Sequence, residues 1–263
     1  MIQATPLRLA QLTDLHLFAD PARSLFGVPT AASLQLSVAK LRQHYYPQDL
    51  LLLTGDLSQD ETAESYRQLR QLLDPLQIPT YWLPGNHDNF SAMGEILSQP
   101  PFSADQAFQV GNWSFVSVDS TVAGETYGEL SPTRLEWLDW QLHLTGDRPT
   151  VVSLHHPPFE VNSLWIDRIG LRNPKRFFDI LDRHRNVRFV LSGHVHQNFC
   201  HQQGRLRCFA TPSTCVQFKP RSAEFAIDAK ALPGFRLFNL YPNGSWETKV
   251  ERVKGTVKPD LPK

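Results

Sequence analysis

The sequence predicts a layered α/β fold in which a pair of mixed β-sheets lies between layers of helix. Two observations carry that expectation. Short runs of branched, apolar residues, each ending in a polar cluster, alternate with longer segments of helical spacing through the first two thirds of the chain. In the last third, hairpin signals replace the helices. The chain is long enough for this, with 263 residues of which 41% are hydrophobic and 20% charged, so a packed core is affordable and disorder is excluded.

Taken in order, the buried strands are Leu7 to Leu12, Leu50 to Leu53, Thr80 to Leu83, Val151 to Leu154 and Val187 to Leu191. The helices between them run over Ala31 to Tyr45, Glu61 to Leu73, Pro132 to Leu144 and Pro174 to His184. The third of these opens with Ser131 as N-cap and Pro132 at its first helical position. Trp137 and Trp140 share helical spacing with Leu135 and Leu138 and read as core. Gly111-Asn112, Gln203-Gly204 and Asn243-Gly244 each separate two apolar runs, which predicts three hairpins. No repeat or Gly/Ser linker divides the chain, so residues 1–253 are read as one domain and Lys254 to Lys263 as a polar tail.

Lys and Arg together number 26, equal to Asp plus Glu, and this balance lacks the electrostatic footprint of a general nucleic-acid binder. The longest apolar run is about five residues against roughly 20 for a membrane span. The N-terminus carries no charged segment leading into a long apolar stretch. A soluble, cytoplasmic protein acting on a small molecule is expected, with no membrane or nucleic-acid partner. Oligomeric state is left open. Three cysteines, Cys200, Cys208 and Cys215, are an odd number without CxxC spacing, which argues against a disulfide scaffold or a thiolate zinc site.

Each buried strand is followed by a block of metal-binding residue types: Asp14-Leu15-His16, Gly55-Asp56, Gly85-Asn86-His87-Asp88, His155-His156-Pro157 and Gly193-His194-Val195-His196. Strand C-termini in layered α/β folds share one rim, so the five blocks can converge. Of the 10 histidines, His44, His143, His184 and His201 alone lie outside these blocks and read as ordinary surface or half-buried residues. The pairs Asp14/His16 and His194/His196, two residues apart, would point to one side in extended backbone. Gly55, Gly85 and Gly193 suit tight turns just before the ligands.

In this order, D-x-H, G-D, G-N-H-D, H and G-H-x-H, the blocks resemble the calcineurin-like metallophosphoesterases over about Leu7 to Phe218. The stretches Leu15-His16-Leu17-Phe18, Trp82 to Asp88, Gly128 to Ser131 and Ala210 to Pro220 look most like the bacterial class III 3',5'-cyclic AMP phosphodiesterases. The resemblance implies a metallophosphoesterase-type mixed sheet pair. It also implies one metal held by Asp14, His16 and His196, a second by Asn86, His155 and His194, and Asp56 bridging both. His155 is chosen because the family ligand stands two before the proline, and His156 is then structural. Nitrogen and oxygen donors without thiolate suit iron, manganese, zinc or cobalt, and two divalent ions, iron and/or manganese with zinc as the alternative, are expected. Two divalent ions against two carboxylates and a bridging hydroxide leave about +1, which attracts a phosphodiester anion. The nucleotide phosphate would then contact His16, Asp56, Asn86, His87 and His196. His87, oriented by Asp88, would stabilise charge or protonate the leaving oxygen.

The expected reaction is hydrolysis of 3',5'-cyclic AMP to 5'-AMP. Its alternatives are the same catalyst on a 2',3'-cyclic nucleotide, a glycerophosphodiester or a monoester, and a non-catalytic scaffold. The long loop from Phe159 to Asn173, with Trp165, and the segment Pro212 to Phe218 are expected to shape the nucleoside pocket.

Overall fold

A computed structural model describes residues 5–255 and Pro259. The chain runs β1 (Leu7–Leu12), β2 (Ser24–Leu25), β3 (Val28–Pro29), α1 (Thr30–Tyr45), β4 (Leu50–Thr54), α2 (Ala63–Leu73), β5 (Thr80–Leu83), α3 (Phe90–Ile96), β6 (Phe102–Ser103), β7 (Ala107–Val110) and β8 (Trp113–Ser117). It continues with α4 (Pro132–Leu144), β9 (Thr150–Ser153), α5 (Leu164–Asp167), α6 (Pro174–Leu181), β10 (Val187–Ser192), β11 (Phe199–Gln203), β12 (Leu206–Ala210), β13 (Gly234–Leu240) and β14 (Trp246–Arg252).

Two six-stranded sheets result, ordered β14-β13-β1-β4-β5-β6 and β11-β12-β10-β9-β8-β7. In the first, β1, β4, β5 and β6 are mutually parallel, and β13 joins β1 antiparallel. In the second, β12, β10, β9 and β8 are parallel, and β11 and β7 close the edges antiparallel. The parallel strands thus present their C-terminal ends together.

Strand β4 shows why the sheets sit in the middle of the molecule. Its four leucines are all buried. Leu50 and Leu52 enter the core between the sheets with Leu9, Phe115, Val151 and Phe189. Leu51 and Leu53 face the other way, into a core shared with α1, α2 and α3. Each side chain so buried contributes about 1.5–3 kcal/mol relative to exposure. The second sheet repeats the arrangement, with Val116, Val152 and Val190 against α4 and α6. Phe189 stacks on Phe238 across the sandwich, with ring centroids 4.8 Å apart and planes 3° from parallel. The layer order is helix, sheet, sheet, helix.

Several local details depart from expectation. Helix α2 starts at Ala63, because Thr62 caps it by accepting from Ser65 N and Glu61 adopts a φ of 58°. Trp140 is 58% exposed and Trp137 only half-buried, since the buried stripe of α4 runs through Leu135, Leu138 and Leu142. The turn between β11 and β12 falls at Gly204-Arg205. The polar tail expected from Lys254 lies outside the described residues, apart from Lys254, Gly255 and Pro259.

Candidate metal centre

All five blocks meet at the shared rim. The loops that follow the strands are laced to one another: Asp14 N donates to Gly55 O at 3.0 Å, His16 N to Asp56 O at 2.9 Å, and Gly193 N to His155 O at 3.0 Å. His194 N donates to both Asp14 carboxylate oxygens, at 3.0 and 3.1 Å, and so ties the rim of one sheet to the other.

The backbone here is not extended, contrary to the alternation argument. Asp14, His16, Asp56, His194 and His196 have φ of 53°, 49°, 51°, 68° and 50°, all left-handed. Each such non-glycine residue costs on the order of 1–3 kcal/mol and persists only where its surroundings enforce it. Gly55, at φ 91°, is required for its conformation. Gly193 has a different reason, close approach: a Cβ there would lie 2.8 Å from Asp14 Oδ2 and 2.9 Å from Thr54 O.

Side chains converge in two clusters. In the first, His16 Nε2 and His196 Nε2 are 3.1 Å apart, and Asp14 Oδ1 is 3.2 Å from His196 Nε2. In the second, His194 Nδ1 is 3.1 Å from Asn86 Oδ1, with His155 alongside. Asp56 lies between them, its Oδ2 3.4 Å from His155 Nε2 and 3.8 Å from His16 Nε2. All but the half-buried Asn86 are buried.

Hydrogen bonds set the imidazole orientations. His155 Nδ1 donates to Thr54 O at 2.8 Å and His196 Nδ1 to Val216 O at 2.9 Å, which leaves both Nε2 atoms facing the cluster. His155 Nε2, His194 Nε2 and His16 Nδ1 are buried without a hydrogen-bond partner among the described residues. Unpaired nitrogen donors beside carboxylates, with no thiolate, fit divalent cations. Burial drives His16 down to about 4 and His194 well below its ordinary value, so both are neutral at neutral pH. At His155 burial acts the same way, but the Asp56 carboxylate outweighs it and raises the imidazole to about 9. Asp56 is held well below the usual carboxylate range, its burial overcome by His155 and His16.

His156 lies beside His155 and His194, yet both its ring nitrogens are occupied, Nδ1 by Ser120 Oγ at 2.9 Å and Nε2 by Thr126 O at 3.2 Å. His87 is half-buried, edge-on to His16, with its Nδ1 3.3 Å from Gln59 Nε2. Asp88 does not orient it. The Asp88 carboxylate turns away and accepts from Leu57 N, Ser58 N, Gly85 N and Tyr66 Oη at 2.9–3.1 Å. It fastens the loops around Asp56, and Gln59 stands where Asp88 was expected.

The clusters floor a cleft of about 220 Å³. His16, Asp56, Asn86, His87, His194 and His196 form its polar base. Its wall is apolar: Trp165 and Phe218, expected from the sequence, together with Ile166, Ile169, Leu25, Phe26 and Phe225. The last three and Gln59 were not singled out in the sequence. For Phe26 a signal existed, in Phe26-Gly27 between Leu25 and Val28; for Gln59 and Phe225 there was none.

A sandwich of two sheets whose common rim gathers histidines, carboxylates and an amide is the architecture of a metallophosphoesterase. The calcineurin-like phosphoesterase family model matches residues 7–198, and the chain belongs to that family. It is 48% identical to a 3',5'-cyclic-nucleotide phosphodiesterase of Nostoc sp. over 96% of this chain and 95% of that protein. It is 38% identical to the 3',5'-cyclic adenosine monophosphate phosphodiesterase CpdA of Escherichia coli K12, over 95% and 91% respectively. Among solved structures, a dimetal phosphatase from Danio rerio superposes with a TM-score of 0.71 over 97% of this chain and 99% of that one, at 14% identity, which establishes the shared fold. No helix among the described residues is long and apolar enough to cross a membrane.

Proposed function

We propose that this chain hydrolyses 3',5'-cyclic AMP to 5'-AMP in the cytoplasm, using two divalent metal ions, iron or manganese with zinc as a substitute. The observation that carries the reading is the division of the cleft. Its base is a nest of nitrogen and oxygen donors, and its wall begins at once, with Phe218 stacked on His196 at 4.0 Å and 10°. A ligand filling both halves has an anionic end and a flat apolar end, as a cyclic nucleotide does. The near full-length likeness to proteins named for that activity supports the same substrate.

Asp14, His16 and His196 would hold one ion, and Asn86, His155 and His194 the other, with Asp56 between. When bound, the ions supply Lewis-acid charge and lower the pKa of a water. The protein does the rest. His155 and His196 are oriented with Nε2 toward the ions by their Nδ1 bonds to Thr54 O and Val216 O. The neutral amide of Asn86, in place of a carboxylate, leaves net positive charge for the phosphodiester. Water adds to phosphorus as the bond to the 3' oxygen breaks, and that oxygen takes a proton from His87. Gln59 occupies the His87 Nδ1 side of the ring, its Nε2 3.3 Å away, which leaves the opposite nitrogen, Nε2, for the leaving oxygen. His16, Asp56, Asn86, His87 and His196 surround the phosphate.

Incubation of purified protein, reconstituted in turn with manganese, iron and zinc, with cyclic AMP and chromatographic separation of the products tests the reading. 5'-AMP is expected. Formation of 3'-AMP refutes the orientation, and cleavage of glycerophosphodiesters without cleavage of cyclic AMP refutes the substrate.

A further inference from the structure

The aromatic wall continues past Phe218 and Trp165 to two rings that neither the core nor the metal clusters require. Phe26 occupies the tip of the β2–β3 hairpin, in left-handed conformation at φ 47°, and is 41% exposed. Phe225 is 43% exposed and belongs to a loop closed by Lys219 N donating to Ala226 O at 2.8 Å and Asp228 N to Gln217 O at 2.9 Å. The two rings meet at 5.4 Å with a 39° tilt. Phe225 also makes edge contacts with Trp165 at 5.1 Å and Phe218 at 5.6 Å. A continuous run of aromatic faces thus leads from His196 to solvent.

Most large apolar side chains here are buried, and two of the exposed ones lie in mutual contact at the cleft mouth. The hairpin that carries Phe26 pairs with neither main sheet. Its root is anchored, since Leu25 and Val28 pack with Cys215 and Val216. Its tip is free to meet a ligand.

We infer that Phe26 and Phe225 form the outer wall for the nucleobase and are specificity-determining residues, gripping the flat face of the base while the phosphate lies on the metal-binding floor. This rests on the proposed nucleotide reading. A nucleobase is planar and polarisable, and stacking on an aromatic side chain contributes about 1–3 kcal/mol per base. Phosphoesters without a flat group gain nothing from these rings.

The test compares Phe26→Ala, Phe225→Ala and Phe225→Leu with the parent in the full-length, metal-loaded enzyme. KM for cyclic AMP and the inhibition constant of 5'-AMP should rise about 5- to 150-fold, with KM moving more than kcat, which is the mark of lost uniform binding. Inhibition by inorganic phosphate, which needs only the floor, should stay within about twofold. Phe225→Leu keeps apolar bulk but loses the planar face, and should reproduce most of the loss. Unchanged KM and 5'-AMP inhibition, full affinity in Phe225→Leu, or phosphate inhibition weakened in parallel would each overturn the inference. If the parent fails to cleave cyclic AMP, 5'-AMP inhibition is read against whichever phosphoester it does cleave. Selective loss of 5'-AMP binding in the variants then upholds the aromatic wall while the cyclic AMP reading falls. Equal inhibition of the parent by 5'-AMP and phosphate overturns the wall.

Discussion

Replacing Asp88 by alanine separates two roles for one carboxylate, orienting His87 or fastening the loops around Asp56. The side chain accepts from three backbone N–H groups and the Tyr66 hydroxyl. Stranding a buried donor costs about 1–3 kcal/mol, so Asp88→Ala forfeits on the order of 6 kcal/mol of hydrogen bonding. Against that stands the cost of keeping the charge. Burial and then the Asp56 carboxylate raise Asp88 to about 6 from its ordinary 3.8. At 1.36 kcal/mol per unit, ionisation of Asp88 destabilises the native protein by about 3 kcal/mol, which the alanine variant escapes. The net loss at pH 7 is therefore about 3 kcal/mol, or roughly 6–12 °C in Tm for a chain of this size. Because the native pKa lies above the unfolded one, the stabilising contribution of Asp88 is complete below about pH 4 and declines as pH rises through about 6. The gap between parent and variant should therefore be wider, near 6 kcal/mol, at the acid end. Urea unfolding of the metal-free proteins between pH 4.5 and 7 measures this. An unchanged unfolding midpoint together with a hundredfold lower kcat would refute the fastening role and restore orientation of His87.

Three further outcomes are expected. Asp56→Ala should abolish turnover and empty both clusters, since one carboxylate oxygen lies within 4 Å of histidines from each; elemental analysis finding two metals per chain would sink the bridging assignment. His87→Ala should retain its metals but lose about 10²- to 10⁴-fold in kcat, less for a nitrophenyl ester whose leaving group needs no proton; equal losses on both substrates would point to charge stabilisation alone. Because Asp56 raises His155 to about 9, the metal-free protein holds a proton there at pH 7, and loading with manganese should expel it. Calorimetric titrations in buffers of different ionisation enthalpy would show at least one proton released per chain, and none released would remove the His155 assignment.

The layers of the fold were legible because they rest on local patterning. Strands β1 and β5 and helix α4 fall at their expected bounds, the last through its Ser131 cap accepting from Arg134 N and its Pro132 start. The β2–β3 hairpin, β6, α3 and α5 were not, since two-residue strands and helices of one or two turns carry too little pattern to read. That β12 returns to lie parallel beside β10 is also invisible locally, because its partner is chosen by the valine and phenylalanine faces of the second sheet. The cleft divides the same way. Its floor comes from five blocks that announce themselves by residue type, whereas Gln59, Phe26 and Phe225 are ordinary residues made significant only by what the chain brings next to them.

The left-handed residues show where pattern and structure part for a physical reason. Spacing of two in Asp14-x-His16 and His194-x-His196 looks like strand alternation, yet four residues in those pairs take φ of 49° to 68°. A strand continued through them would send its side chains along the sheet faces, into the leucine and valine layers. Turning each ligand residue left-handed instead directs it off the rim. At about 1–3 kcal/mol for each of five such residues, the rim stores strain comparable with the whole stability of an ordinary domain. It is held by bonds that run between loops, from Asp14 N to Gly55 O, His16 N to Asp56 O and His194 N to Asp14. Those loops are in turn positioned by β1, β4 and β10, strands with fully buried C-terminal halves. Hence the donors can be held close enough to repel one another before any cation arrives, and that preorganisation depends on the sandwich behind them.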